Sequence, residues 1–227
     1  MPMPYRTPLL SASRIPSIAS VLLALACCVL PGASAAAAPG AVQEPPACQS
    51  NALALSEAIE PVVEAVTDGR PDRVPAAARR AEAWWSAHRS RFSNPAVIDS
   101  AMGELQVLAT GHRAPLAARS AVIAANAALD ACPESPSDAT MLMRIDLAGM
   151  AGWLRAHGVD ARFPRLAAES ARTIGARLRA RGRVAMANAL AREAAATLAI
   201  PVRVEGNVRA ANALLERVDD IEAVLLR

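Results

Sequence analysis

The chain contains no lysine and few aromatic residues. All 24 basic residues are arginine, and aromatic side chains make up only 3% of the 227 residues. We attribute the missing lysine mainly to the codon composition of a GC-rich genome, because alanine usage is also heavy. The shortage of aromatic side chains argues against large platforms on which nucleic-acid bases could stack.

The net charge of the chain is close to zero. The formal charge is +3, and it falls to +1 without Arg6 and Arg14, because all 21 acidic residues lie after residue 38. So small a charge creates no global field that would steer the protein toward a polyanion. We therefore expect no nucleic-acid partner.

The short motifs of common enzyme classes are missing as well. The chain has no His-Glu-x-x-His, no Gly-x-Ser-x-Gly and no glycine-rich phosphate loop. It has no Cys-x-x-Cys-His, which excludes covalently attached c-type haem. It also lacks the Glu-x-x-His pairs that a di-iron bundle takes from two helices. No constellation argues for catalysis, so we favour a non-enzymatic role.

The first 38 residues have the order of a secretory signal peptide. Two arginines precede an apolar run over residues 15–30, and small residues follow at 33–38. The run is shorter than the roughly 20 apolar residues of a membrane-spanning helix. We therefore predict export, to a bacterial periplasm, with cleavage after residue 35 or 37. No transmembrane span is expected in the mature chain.

The four cysteines fall into two pairs. Cys27 and Cys28 lie in the apolar run and should leave with the signal peptide. Lipidation at Cys27 is the alternative, but the residues before it match a lipoprotein site imperfectly. Cys48 and Cys132 remain, and an even pair in an oxidising compartment predicts one disulfide. Two separate buried thiols are the competing interpretation.

Residues 48–227 have the apolar spacing of α-helices almost throughout. We predict an all-α fold, an antiparallel bundle of about six to eight helices in a single domain, after a Pro-rich leader at 39–47. Pro61 should kink the first helix or restart it. The predicted helices are 49–68, 72–92, 95–111, 113–132, 138–158, 160–181, 183–199 and 207–226, with an extended connector at 200–204.

Two histidines are candidate metal or haem ligands. His88 falls on an apolar stripe between Trp85 and Phe92, where it could bind a metal or haem or respond to pH. A core histidine with a hydrogen-bonded neighbour is the alternative. His157 lies in the last turn of its predicted helix, where the helix dipole favours a cation, so capping also explains it.

One helical face combines Asp146, Met150, Trp153 and His157 at steps of four, three and four residues. Thioether and imidazole groups suit copper, so this face is a candidate copper site. Haem held between a methionine and a histidine is a related option. The alternative is that the methionines simply fill the core. We assign no cofactor from the sequence.

The charged faces of three predicted helices suggest surface roles. Arg165, Arg172 and Arg179 on the sixth helix could contact anionic lipid headgroups or an acidic partner. The alternative is a solvated face with internal ion pairs, for example to Glu169. The acidic residues of the first and last helices are expected to be solvated. They are Glu57, Glu60, Glu64 and Asp68 on the first helix and Glu216, Asp219, Asp220 and Glu222 on the last.

These observations favour an exported, non-enzymatic binding or interaction protein, for which a protein partner is one option. The alternative function is binding of copper or haem by a periplasmic helical bundle. Neither the ligand nor the partner is specified by any motif in the chain.

Overall fold

Helices make up nearly all of the computed structural model, which describes residues 46–159, 162, 165–199 and 208–226. The predicted all-α fold is confirmed, and the described residues contain no strand. Two 3-10 turns, Pro71–Arg73 and Arg89–Arg91, flank the second helix. The eight helices are α1 (Ala47–Thr67), α2 (Val74–His88), α3 (Ala96–Thr110), α4 (Ala114–Asp130), α5 (Asp138–Ala156), α6 (Ala167–Ala180), α7 (Val184–Leu198) and α8 (Val208–Leu225).

Helices α1 to α4 form a closed four-helix ring. Each packs against the next along the chain, and α4 returns to pack against α1. The short connections make consecutive helices antiparallel. Leu55, Ile98, Leu105 and Leu129 fill the centre and are almost fully buried. Many alanines lie between them, so the helices can approach closely with thin side chains at the contacts.

Helices α5 to α8 form a second ring of the same kind, in which α8 returns to α5. Helix α5 also packs against α4 and α1, so it belongs to both rings. Its Leu147 and Leu154 join the core of the first ring, whereas Leu142 and Ile145 join the core of the second. Helix α5 is therefore buried on most of its circumference, and it connects the two cores.

Local signals predicted several helix ends correctly. Gly158 and Gly182 follow α5 and α6 with φ angles of 77° and 73°, a left-handed conformation that glycine adopts without a Cβ penalty. Ser137 caps the start of α5, where its hydroxyl accepts a hydrogen bond from the backbone N–H of Thr140 at 3.2 Å. These residues stop and start helices where the sequence pattern indicated.

One expectation about a helix boundary is wrong, and one of two alternatives for another is excluded. Helix α1 continues through Pro61 without restarting, with Ile59 and Val62 buried on either side of it, and the other predicted outcome, a kink at Pro61, stays a prediction. The sixth helix begins at Ala167 rather than at residue 160. No helix within the described ranges is both long and apolar enough to cross a membrane. The predicted signal peptide, residues 39–45 of the leader and the connector at 200–204 lie outside the described residues.

Candidate functional site

A disulfide joins the start of α1 to the residues that follow α4. Cys48 and Cys132 are bonded as predicted, with their Cα atoms 5.6 Å apart. Glu134 lies beside the two sulfurs, and these three residues are the only group of three or more His, Cys, Asp or Glu ligand atoms that lie together in the described part of the chain. Cysteine sulfurs bind zinc as free thiolates. The disulfide uses both sulfurs, so this group does not provide them.

Gln49 reinforces the same junction. Its side-chain Nε2 donates to the Ser135 carbonyl at 2.7 Å. Its Oε1 accepts from the Ser137 backbone N–H at 2.9 Å and from the Thr140 hydroxyl at 2.8 Å. Gln49 is only 1% exposed, so these bonds satisfy an amide that would be costly to bury alone. They tie α1 to the start of α5. The sequence offered no motif that singles out this glutamine.

Two helices end in the same tryptophan–histidine arrangement. The His88 ring stacks on Trp84 with centroids 4.3 Å apart, and the His157 ring stacks on Trp153 at 3.7 Å. In each pair the histidine Nδ1 donates to the tryptophan carbonyl four residues earlier, at 2.7 Å and 2.8 Å. Each imidazole therefore caps its own helix end with one nitrogen and keeps Nε2 for another contact.

The surroundings of His88 differ from those that the sequence predicted. His88 is half-buried and stacks on Trp84, so it does not enter the core. The residue of this part of α2 that does enter the core is Trp85, which is only 2% exposed. His157 is exposed and is the C-cap residue of α5, in agreement with the capping interpretation. Metal or haem binding by either histidine stays a prediction.

The candidate copper ligands on α5 are spread along the helix. Asp146 and His157 are eleven residues apart, a rise of about 16 Å. Met150 lies seven residues before His157, a rise of about 10 Å. Metal ligands bind at about 2 Å from an ion, so one ion cannot contact all three residues. These residues do share one face of α5, but a single metal site could include only ligands from neighbouring turns of that helix.

Acidic residues from two other helices act electrostatically on Asp146 of α5. Helix α5 approaches α8 closely at Gly149, where a Cβ would lie 2.8 Å from Leu215 Cδ2 and 3.6 Å from the Ala211 carbonyl. The two helices are antiparallel. Asp146 precedes Gly149 on α5, so it lies opposite the residues that follow Leu215 on α8. We call the resulting group the acidic seam. It consists of Glu60 of α1, Asp146 of α5, and Asp219 and Glu222 of α8.

Both central carboxyl groups of the acidic seam bind protons more tightly than usual. Burial, followed by the charges of Glu60, Asp219 and Glu222, raises the pKa of Asp146 from 3.8 to about 8. Burial and four neighbouring acids, Glu64 first, raise the pKa of Glu60 from 4.5 to about 7. Burial disfavours the charged form, and like charges add to that effect. Of the acids expected to be solvated, Glu60 and Glu222 are partly buried. The others are exposed, and they are Glu57, Glu64 and Asp68 on α1 and Glu216, Asp219 and Asp220 on α8.

The predicted arginine face is exposed. Arg165 precedes α6, while Arg172 and Arg179 lie on it at a seven-residue spacing that keeps them on one side. Arg179 also donates to Asn188 Oδ1 of α7 at 3.1 Å, so part of its hydrogen-bonding capacity is used within the protein. Contact with an anionic surface through these residues stays a prediction.

The outward side of α3 carries apolar residues that the sequence did not single out. Val97 is 52% exposed and Val107 is 73% exposed. Val184 of α7, at 50%, is the third large apolar side chain exposed to this degree within the described ranges. A shallow groove of about 350 Å³ lies beside Val97, between α3 and α4. It is lined by Ala96, Val97, Ser100, Ala101, Glu104 and Ile123.

Comparison with known proteins finds no significant match for this chain among protein-family models, curated proteins or solved structures.

Proposed function

We propose that this chain is an exported, non-enzymatic binding protein and that the outward side of α3 contacts a protein partner. The observation that carries the proposal is the exposure of Val97 and Val107 on one helix. Single exposed apolar residues are ordinary on protein surfaces. Here two of them share a helix, and the groove beside Val97 has an apolar floor at Ala101 and Ile123.

The composition of this side of α3 also supports a protein partner. Its exposed residues are Ala96, Val97, Ser100, Gly103, Glu104, Val107 and Thr110, which include a single charge. Charged residues are depleted in the centres of protein interfaces. Helix α3 has 15 residues, about 22 Å of length, which suits one helix or strand of a partner.

Export is supported by the disulfide between Cys48 and Cys132. Disulfides persist in oxidising compartments and are rare in the cytosol. Together with the predicted signal peptide, this favours the periplasm. N-terminal sequencing of protein from the periplasmic fraction should find a start after residue 35 or 37. An intact N-terminus in the cytosolic fraction would contradict the export part of the proposal.

Photo-crosslinking tests the binding part. In the full chain, expressed in its native host, a photoreactive benzoylphenylalanine residue would replace Val97 or Val107. Replacement of Val184 is the matched control. We expect the same discrete adduct from positions 97 and 107 and no such adduct from position 184. The adduct would be identified by mass spectrometry, and the purified partner tested for binding to the purified protein.

Charge substitution then tests whether the face itself binds. Val97→Arg/Val107→Arg should abolish binding of the identified partner without changing the thermal midpoint, because both side chains are exposed. Val184→Arg should bind as the wild type does. Equal adducts from all three positions, or undiminished binding by the double variant, would refute a role for α3.

A further inference from the structure

The disulfide junction between α1 and α4 brings together three groups that can bind a metal. The sulfur atoms of Cys48 and Cys132 and a carboxylate oxygen of Glu134 all lie within 4.8 Å of one another. Both cysteines are half-buried and Glu134 is exposed, so an ion in water can reach the group. Two sulfurs with one oxygen are ligands that Zn²⁺ accepts, whereas Mg²⁺ and Ca²⁺ take oxygen ligands.

We propose that the reduced form of this junction binds one Zn²⁺ ion through Cys48, Cys132 and Glu134. The disulfide is then the oxidised, metal-free form of the same site. This inference does not depend on the exposed side of α3, because that side carries none of the three ligands.

Two chemical steps convert the oxidised form into the zinc-bound form. A dithiol reductant gives two electrons and two protons to the disulfide, which becomes two thiols while the dithiol becomes a disulfide. Zn²⁺ then replaces the two thiol protons, which are released to solvent. Glu134 supplies the third ligand, and water takes the fourth tetrahedral position. Reoxidation by a disulfide of the same class reverses both steps and releases the ion.

The distances at the junction suit this site. With Zn–S bonds of about 2.3 Å and tetrahedral angles, two thiolates on one ion lie about 3.8 Å apart. The three ligand atoms are already gathered within 4.8 Å. The Cα atoms of the two cysteines are 5.6 Å apart, so rotation of the side chains can separate the sulfurs by the required distance.

The fold holds the two cysteines close together without the disulfide. Gln49, next to Cys48, is bonded to the carbonyl of Ser135 and to the N–H of Ser137, which follow Glu134 in the chain. Helix α1 also packs against α4 along its length. Ligands that are already positioned lose less conformational entropy when they bind. Cys48 is the second residue of α1, where the positive end of the helix dipole favours a thiolate.

Metal titration of the purified exported protein tests the site. The protein would be reduced with a phosphine, because a dithiol would itself bind the metal, then desalted without oxygen and titrated with Zn²⁺ or Co²⁺. Circular dichroism would record the helical content of each sample. The reduced wild type should bind one equivalent of either ion, and Co²⁺ should show thiolate charge-transfer absorption. The oxidised wild type and Cys48→Ala/Cys132→Ala should show neither.

The variant Glu134→Gln tests the third ligand. Loss of a residue that only supports a metal ligand typically lowers affinity by about 10–100-fold, so loss of a direct ligand should weaken Zn²⁺ binding at least about tenfold. Glu57→Gln, which changes an exposed acid farther along α1, should bind Zn²⁺ as the wild type does. Zn²⁺ should also raise the thermal midpoint of the reduced wild type and leave that of the double cysteine variant unchanged.

Four results would overturn the zinc site. They are no charge-transfer absorption in the reduced wild type, equal uptake by the oxidised wild type or the double cysteine variant, unchanged affinity in Glu134→Gln, and absorption only in reduced protein that has lost its helical content.

Discussion

Removing the Cys48–Cys132 disulfide should lower the free energy of unfolding by about 4–5 kcal/mol. The two cysteines are 84 residues apart in the chain, and the chain-entropy relation gives that value for a loop of this length at 25 °C. The effect arises in the unfolded state, which the cross-link keeps compact. Domains of this kind are typically stable by about 5–15 kcal/mol, so the loss is a large fraction of the total.

The folded state should change little when the bond is removed, because Gln49 holds the same two segments through Ser135, Ser137 and Thr140. The double variant Cys48→Ala/Cys132→Ala should therefore keep its helical circular dichroism. Its thermal midpoint should fall by about 10–20 °C, as expected for a domain of this size.

Urea denaturation of the wild type, the double variant and the wild type with a reductant measures the effect. The reduced wild type and the double variant should agree, since both lack only the cross-link. A difference below about 1 kcal/mol between oxidised and reduced protein would refute the entropic reasoning. Free thiols in the purified exported protein would refute the disulfide itself.

Two further predictions concern polar contacts between helices. Gln49→Ala should lower the free energy of unfolding by about 2–3 kcal/mol in urea denaturation, because it leaves buried polar groups without partners. As the control, Asn51→Ala removes one exposed hydrogen bond of 3.4 Å and should lower the free energy of unfolding by less than about 1 kcal/mol. Equal losses of free energy in the Gln49→Ala and Asn51→Ala variants would contradict the burial of Gln49 as the cause. Hydrogen bonds from Arg89 first, and also from Trp85, lower the pKa of Asp99. The stabilisation that the ionised Asp99 carboxylate provides is therefore present above its ordinary pKa of 3.8 and is lost as the pH falls further. In thermal melts, Asp99→Asn should destabilise the protein at pH 7 and have little effect near pH 2.

The helical fold was predictable because amphipathic spacing is a local property. In α8 the five residues at apolar spacing are all buried, and they are Ala211, Leu214, Val218, Ile221 and Leu225. The stripe of α1 is likewise buried. Local signals did less well where tertiary packing competes with them. Helix α1 passes through Pro61 although proline removes one helical hydrogen bond, and buried residues lie on both sides of it.

The candidate sites depend on relations between distant segments. The shared face of Asp146 and His157 was readable from the sequence, but the rise of the helix separates them by about 16 Å. The acidic residues of α1 and α8 looked like independent solvated faces. Only the packing of both helices against α5 places Glu60 and Glu222 near Asp146.

The sequence alone determined that this chain is all-α, where several helices end and which cysteines could pair. These properties follow from the 3.6-residue period, from glycine and proline stereochemistry and from cysteine number. Tertiary structure decided that the helices close into two rings around α5 and that Val97 and Val107 remain outside. It also decided which carboxyl groups influence Asp146, because the register between α5 and α8 is set where Gly149 lets α8 approach, not by any neighbouring residue in the chain.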